Sequence, residues 1–240
     1  MQIDPRSVAR EIPGIFDEVF PQLTPGIVAH FNSGADDFDI QQIPSTLLAQ
    51  STLQRAMLFE LGYSVGERIL ANTTIDWDGC VDVAFRRQQA FFDAKPPGEV
   101  SSGDKALATI VGENLATRLT RMSDEGMSPL VLGPAIPGLE WIASGRGDFS
   151  VGRTLIEVKC TAKRFGAPDY RQVAIYWLLS YAAALEGRGD EWEHLILLNP
   201  RRGEQVSLRV DSFISTISSG RTKVDVLQLF MSLIGSRLTR

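Results

Sequence analysis

The chain is short of several things, and each shortage removes a class of explanation. It has only two cysteines, Cys80 and Cys160, too few for a disulfide framework. Its first residues, Met1 to Pro5, show no basic start followed by an apolar stretch, so no secretory leader is expected there. Its longest apolar runs fall far below the roughly 20 residues that a membrane helix needs. A reducing, cytoplasmic setting without a membrane follows as the expectation. No Gly-rich phosphate loop with its lysine is present, so no nucleotide cofactor is expected, and an ATP-driven step would have to come from another protein. There is no internal repeat and no low-complexity tract. What is there is ordinary: 240 residues, 44% hydrophobic, ample for one large domain or a domain with an appendage.

Positive charge is also scarce, with a formal net charge of −5. Its distribution is uneven. Residues 1–102 carry 7 basic and 14 acidic side chains, whereas residues 103–240 carry 17 basic and 15 acidic. The second region therefore has a modestly basic balance, from residues such as Arg118, Arg121, Lys163, Arg164, Arg171, Arg201 and Arg202. Such side chains can contact phosphate with salt-dependent affinity. The footprint is weak for a nucleic-acid protein, which points to help from a protein partner, a homo-oligomer or a loaded metal site.

The most informative stretch is Gly147-Asp148-Phe149 followed by Gly152-Arg153 and Thr154-Leu155-Ile156-Glu157-Val158-Lys159. Two β-rich runs joined by Gly-X predict a hairpin, with Gly152 supplying the positive φ of a type II′ turn. A two-residue loop pairs 151 with 154, 150 with 155, 149 with 156 and 148 with 157. Asp148 then faces Glu157, Lys159 shares their side of the strand, and Phe149, Val151, Ile156 and Val158 point to a core. Opposed carboxylates repel. A divalent cation between them removes that cost, and Asp and Glu oxygens suit Mg²⁺, which takes one or two carboxylates and keeps waters for a substrate phosphate. Lys159 can stabilise developing negative charge beside it. Glu-x-Lys alone is commonplace; the opposed aspartate and the helix that follows give it weight.

That helix is expected from Asp169 to Leu185, stopped by Gly187. Val173, Trp177, Ser180/Tyr181 and Ala184 form a packing stripe. Gln172 and Tyr176 sit one turn apart on a neighbouring face, able to hydrogen-bond a phosphate, a metal-bound water or a catalytic side chain. Downstream, His194–Asn199 reads as a buried strand, Arg201-Arg202-Gly203 as a turn, and 206–210 as an edge strand.

On Gly147-Asp148, Glu157-Val158-Lys159 and Gln172 with Tyr176, residues 104–210 resemble the PD-(D/E)xK nuclease superfamily, in its RecB/lambda-exonuclease-like branch with a Gln-x-x-x-Tyr helix. The resemblance implies an α/β fold with a restriction-endonuclease-like αβββαβ core and a mixed sheet flanked by helices. It implies Mg²⁺ or Mn²⁺ held by Asp148, Glu157 and the Val158 carbonyl, with Lys159 catalytic. Gln172 and Tyr176 would position the substrate strand, with Arg171 and Lys163 beside them, and Glu113 is the candidate for a further helix glutamate seen in the family. Some members of the branch hold an iron–sulfur cluster on four cysteines, which two cysteines in one chain cannot supply. The implied activity is divalent-metal-dependent hydrolysis of DNA in prokaryotic repair, restriction or anti-phage defence. A non-catalytic nucleic-acid- or protein-binding subunit of the same fold, or an RNase, stands as the alternative.

The first 102 residues read as an accessory region. Pro13-Gly14, Pro21 and Pro25-Gly26 punctuate it, and a helix from Thr46 to Leu61 is expected to end at Gly62. Strands are expected at 73–77 and 81–85, and a linker at 95–103. A helix from Lys105 to Met122, strands at 130–132 and 139–143, and an amphipathic helix from Val224 to Leu238 complete the expected order.

Overall fold

The computed structural model describes residues 2–89 and 99–236. In chain order the elements are α1 (Pro5–Glu11), α2 (Pro13–Val19), α3 (Pro25–Ser33), β1 (Asp36–Asp37), α4 (Ser45–Gln50), α5 (Arg55–Leu70) and α6 (Trp77–Gln88). Then follow α7 (Ser102–Gly126), β2 (Leu130–Leu132), β3 (Ala135–Ile136), β4 (Gly145–Arg146), β5 (Phe149–Val151), β6 (Thr154–Val158) and α8 (Ala167–Leu185). Last come β7 (His194–Asn199), β8 (Glu204–Arg209), α9 (Val210–Ile217) and α10 (Lys223–Ser236).

Six strands form a mixed sheet in the order β1-β8-β7-β6-β5-β2, with β6 and β7 parallel and the other neighbours antiparallel. Helices cover it on both faces. Phe149, Val151, Ile156 and Val158 pack with Leu115, Leu119 and Met122 of α7, while Leu155, Leu195 and Leu197 pack with α8 on the other side. The hairpin has the expected register, with Phe149 against Ile156, Ser150 against Leu155 and Val151 against Thr154. Gly152 takes φ +54°, whereas Arg153 is not among the positive-φ residues, as a type II′ turn requires. α8 is buried nearly all round from Tyr170 to Ala183, so its stripe is wider than an amphipathic reading gives: the sheet lies on one side and α1 on another.

The N-terminal region departs most from expectation. Pro5, Pro13 and Pro25 open helices, since proline's fixed φ and missing N–H suit the first turn. Gly62 does not end a helix. It lies inside α5, where a Cβ would come 2.8 Å from the Val111 side chain, and a Cβ on Gly112 would come 2.8 Å from the Gly66 nitrogen. These glycines let α5 and α7 cross closely, a gain in packing that outweighs glycine's poor helix propensity. The strands expected at 73–77 and 81–85 are absent: Trp77–Gln88 is helix, with Cys80 and Ala84 buried one turn apart against α5. The segment 139–143 makes a turn held by Leu139 and Ile142 rather than a strand. β8 is not an edge, because β1 pairs with it. Of the linker expected at 95–103, residues 95–98 lie outside the described residues, 99–101 carry no regular element and 102–103 already belong to α7.

Ser101 caps α7, its hydroxyl accepting from the Asp104 N–H at 3.1 Å, close to the expected boundary at 102. The packing nevertheless crosses that boundary. Val8, Phe16 and Phe20 share a core with Tyr170 and Trp177, and Met57, Leu61 and Val65 share one with Leu107 and Ala108. On α10, Val226, Phe230 and Ile234 are buried in the first of these.

Candidate metal centre

A cleft of about 650 Å³ opens between the N-terminal helices and the end of the β5–β6 hairpin. Its floor carries Asp148, Glu157, Val158, Lys159 and Gln172. Asp148 lies just before β5, and its Oδ2 accepts the Val158 N–H at 2.8 Å. That bond ties the two strands together where regular pairing stops. Glu157 is 2% exposed. Its Oε1 accepts from Lys159 Nζ at 2.8 Å and from Gln172 Nε2 at 2.6 Å. Lys159 Nζ also donates to Gln172 Oε1 at 3.0 Å, and Gln172 Nε2 donates to the Tyr176 hydroxyl at 3.0 Å. The helical spacing of Gln172 and Tyr176 thus serves one linked network.

The structure brings together Asp148, Glu157, Val158, Lys159, Gln172 and Tyr176. Gln172 is 0% and Tyr176 1% exposed; both bond into the carboxylate–lysine network, Gln172 directly and Tyr176 through it. Glu113 stands apart: it is exposed on α7, lining a separate shallow depression with Ile69, Thr117 and Arg121. Its helical position turns it to solvent, while its neighbour Asn114 turns inward to the Gln41 backbone and the Pro200 carbonyl. Arg171 leans towards Asp17 at 3.9 Å. Lys163 is exposed on the loop between β6 and α8, its N–H donating to Thr161 Oγ1 at 3.1 Å. Neither lines the cleft.

Several cleft residues come from regions whose sequence carried no site signal. Arg6, in the first turn of α1, donates from Nε to the Tyr176 hydroxyl at 2.8 Å and from Nη2 to Asp148 Oδ1 at 3.1 Å. From α5 and α6 come Glu60, Tyr63, Glu67 and Arg87. Arg87 Nη2 reaches both Glu67 oxygens, at 2.8 and 2.9 Å, and its guanidinium lies 4.6 Å over the Tyr63 ring. Phe59 lines one wall, and Arg201, outside the lining, stacks over its ring at 4.4 Å from the ring centre. One signal did exist: Ala56, Phe59, Glu60, Tyr63 and Glu67 recur at helical spacing, but only if the helix continues through Gly62.

Burial and the neighbouring Asp148 push the Glu157 carboxyl up to about 7, against the pull of Lys159 and Arg6. Burial also raises Glu60, partly offset by Arg87, and raises the Tyr176 hydroxyl, with Glu157 adding to the effect. Burial works against the charge of Arg6, yet Asp148 and Glu157 outweigh it and hold the guanidinium firmly protonated. The Cys160 thiol is pushed up by burial and is no nucleophile at neutral pH.

The donor set suits a hard divalent ion. Glu157 Oε2 is buried and has no hydrogen-bond partner among the described residues, a costly state for a carboxylate oxygen that a cation would relieve. Among the described residues no three His, Cys, Asp or Glu side chains gather into a metal-holding group. Two carboxylates with a backbone carbonyl and waters is a set that Mg²⁺ accepts and Zn²⁺ disfavours. Among the described residues no helix is long and apolar enough to cross a membrane. No family model, no curated protein and no solved structure matches the chain.

Proposed function

We propose that this chain is a divalent-metal-dependent nuclease that hydrolyses phosphodiester bonds in DNA. The observation that carries the reading is Asp148 and Glu157 on one hairpin, with a buried Glu157 oxygen that has no partner among the described residues, beside Lys159 on a cleft floor. The order α7, β2, β5, β6, α8, β7, with three antiparallel strands and then a parallel one after the crossover helix, supports reading it as the restriction-endonuclease-like αβββαβ core. β3 and β4 form a separate two-stranded arm on the link between β2 and β5.

Asp148, Glu157 and the Val158 backbone would hold Mg²⁺ or Mn²⁺, which when bound neutralises phosphate charge and makes water a stronger nucleophile. The remaining work falls to side chains. Lys159 sits beside Glu157 with an ammonium able to stabilise charge growing on the phosphate oxygens. Gln172 fixes both Lys159 and Glu157, using its carbonyl for one and its amide for the other. Tyr176 steadies Gln172 and Arg6 in turn. Arg10 and Arg146 line the same cleft and are exposed, placed to meet a phosphate backbone.

A second reading has its own observation. Asp148 already pairs with Arg6 and Glu157 with Lys159, so the acids are compensated without metal, as a non-catalytic binding subunit would require. One experiment separates them. Purified protein is incubated with linear DNA, circular DNA and single-stranded RNA, each with Mn²⁺ or with EDTA. Metal-dependent loss of DNA supports the nuclease, loss of RNA alone redirects it to an RNase, and intact substrates in every lane favour the binding subunit.

A further inference from the structure

Arg6 reaches the carboxylates from far away in sequence, and its place is built. Ile3 bridges to Ile142, its N–H donating to the Trp141 carbonyl at 3.0 Å and its carbonyl accepting from Ala143 at 2.9 Å. Asp4 then caps α1, its Oδ1 accepting from the Arg6 N–H at 2.7 Å. Val8 and Ala9 are fully buried in the main core. The guanidinium emerges from this anchored turn with a tether at each end: Nε to the Tyr176 hydroxyl, and Nη2 to Asp148 Oδ1 and, at 3.3 Å, the Arg146 carbonyl.

The consequence lies in how Asp148 is used up. Its Oδ2 holds the Val158 N–H and its Oδ1 holds Arg6. Glu157, in contrast, keeps Oε2 without a partner among the described residues. A cation drawn to that orphan oxygen that takes Asp148 as its second carboxylate meets Arg6 at Oδ1, and two positive groups sharing one carboxylate oxygen repel. Resting on the metal-site reading above, we propose that Arg6 is the resident counter-ion of Asp148, which a divalent cation must displace to load the site. Arg6 is therefore a positioning residue: it holds Asp148 ready and lowers metal affinity by competing for it. The Tyr176 tether keeps the displaced guanidinium within the cleft, where a substrate phosphate is its natural new partner. Metal loading is thereby coupled to the first turn of α1.

The test is calorimetric titration of Mn²⁺ into the full chain, as wild type, Arg6→Gln and Arg6→Lys, with thermal unfolding of each without metal. Val8 and Ala9 hold α1 in place independently of the guanidinium, so all three chains are expected to fold. Arg6→Gln should bind Mn²⁺ about two- to fivefold more tightly, the range expected for releasing a half-exposed ion pair. Arg6→Lys keeps the charge but loses the fork and its tethers, so it should fall between Arg6→Gln and wild type. Melting should shift the opposite way, with Arg6→Gln lowest, because Asp148 and Tyr176 lose a partner. A residue with a purely structural role would weaken metal binding and stability together. Equal or weaker Mn²⁺ affinity in both variants, with wild type binding, overturns the competition and leaves the metal site standing. No binding by any of the three at millimolar Mn²⁺ overturns both.

Discussion

The two walls of the cleft are encoded in different ways. One is the β5–β6 hairpin with α8, where Asp148, Glu157, Lys159, Gln172 and Tyr176 lie within 29 consecutive residues and meet through strand alternation, a two-residue turn and one helical step. The other is assembled from α1, α5 and α6, whose Arg6, Glu60, Tyr63, Glu67 and Arg87 reach the cleft only through tertiary packing. The first wall holds the candidate ligands and the lysine. The second supplies the counter-charges and the enclosure. Chemistry that depends on short, fixed distances is written locally, where backbone geometry sets those distances, whereas the electrostatic surround comes from wherever the fold can deliver it.

If the local wall carries the chemistry, its substitutions should destroy activity and leave the fold. Asp148→Asn should lower metal-dependent cleavage by roughly 10³-fold or more, since it weakens the metal's hold and its charge stabilisation, with an unchanged far-ultraviolet circular dichroism spectrum as the check. Lys159→Ala should cost about 10²-fold in cleavage rate at saturating metal, the usual scale for one electrostatic donor. The distant wall should respond in the opposite sense. Gly112→Ala forces α5 away from α7, where a Cβ would meet the Gly66 nitrogen at 2.8 Å. It should lower unfolding free energy by roughly 1–3 kcal/mol, read by denaturant titration.

Glu157 joins the two walls through pH. Its carboxyl is raised from 4.5 to about 7 by burial and by Asp148, so the folded protein holds its proton more tightly than the unfolded chain does. That contribution to stability is fully present below about 4.5 and is lost as pH rises through about 7. The metal-free protein should therefore lose on the order of 3 kcal/mol across this window, and Glu157→Gln should remove that part of the slope. Metal competes with the same proton, so Mn²⁺ affinity should rise over the same interval. The smallest effect expected is at Glu113: Glu113→Gln, exposed and outside the cleft, should stay within about 0.5 kcal/mol of wild-type stability and keep wild-type cleavage.

The same contrast explains what was legible in the sequence. The hairpin register, its turn and α8 follow from periods of two and of 3.6 and from one glycine with positive φ, and β7 from an unbroken apolar run. Gln172 and Tyr176 are legible from their helical spacing, and their side chains bond to Glu157, Lys159 and Arg6, one of the uses that spacing allows. In the N-terminal region, the glycines of α5 are spent on a close helix crossing, so Gly62 looks like a stop and is a contact. Trp77–Gln88 looks β-rich because Trp77, Val81, Val83 and Phe85 are β-branched or aromatic, yet burial of Cys80 and Ala84 against α5 makes it a helix. Nothing near Arg6 in sequence marks it, because its partners Asp148 and Tyr176 lie 142 and 170 residues away.

The most direct test of the account is cleavage of supercoiled plasmid by wild type and Glu157→Gln, side by side, with Mn²⁺ and with EDTA. Nicked or linear product is expected from wild type with Mn²⁺ alone, and none from a folded Glu157→Gln protein in either condition. Equal Mn²⁺-dependent cleavage by both proteins would contradict it.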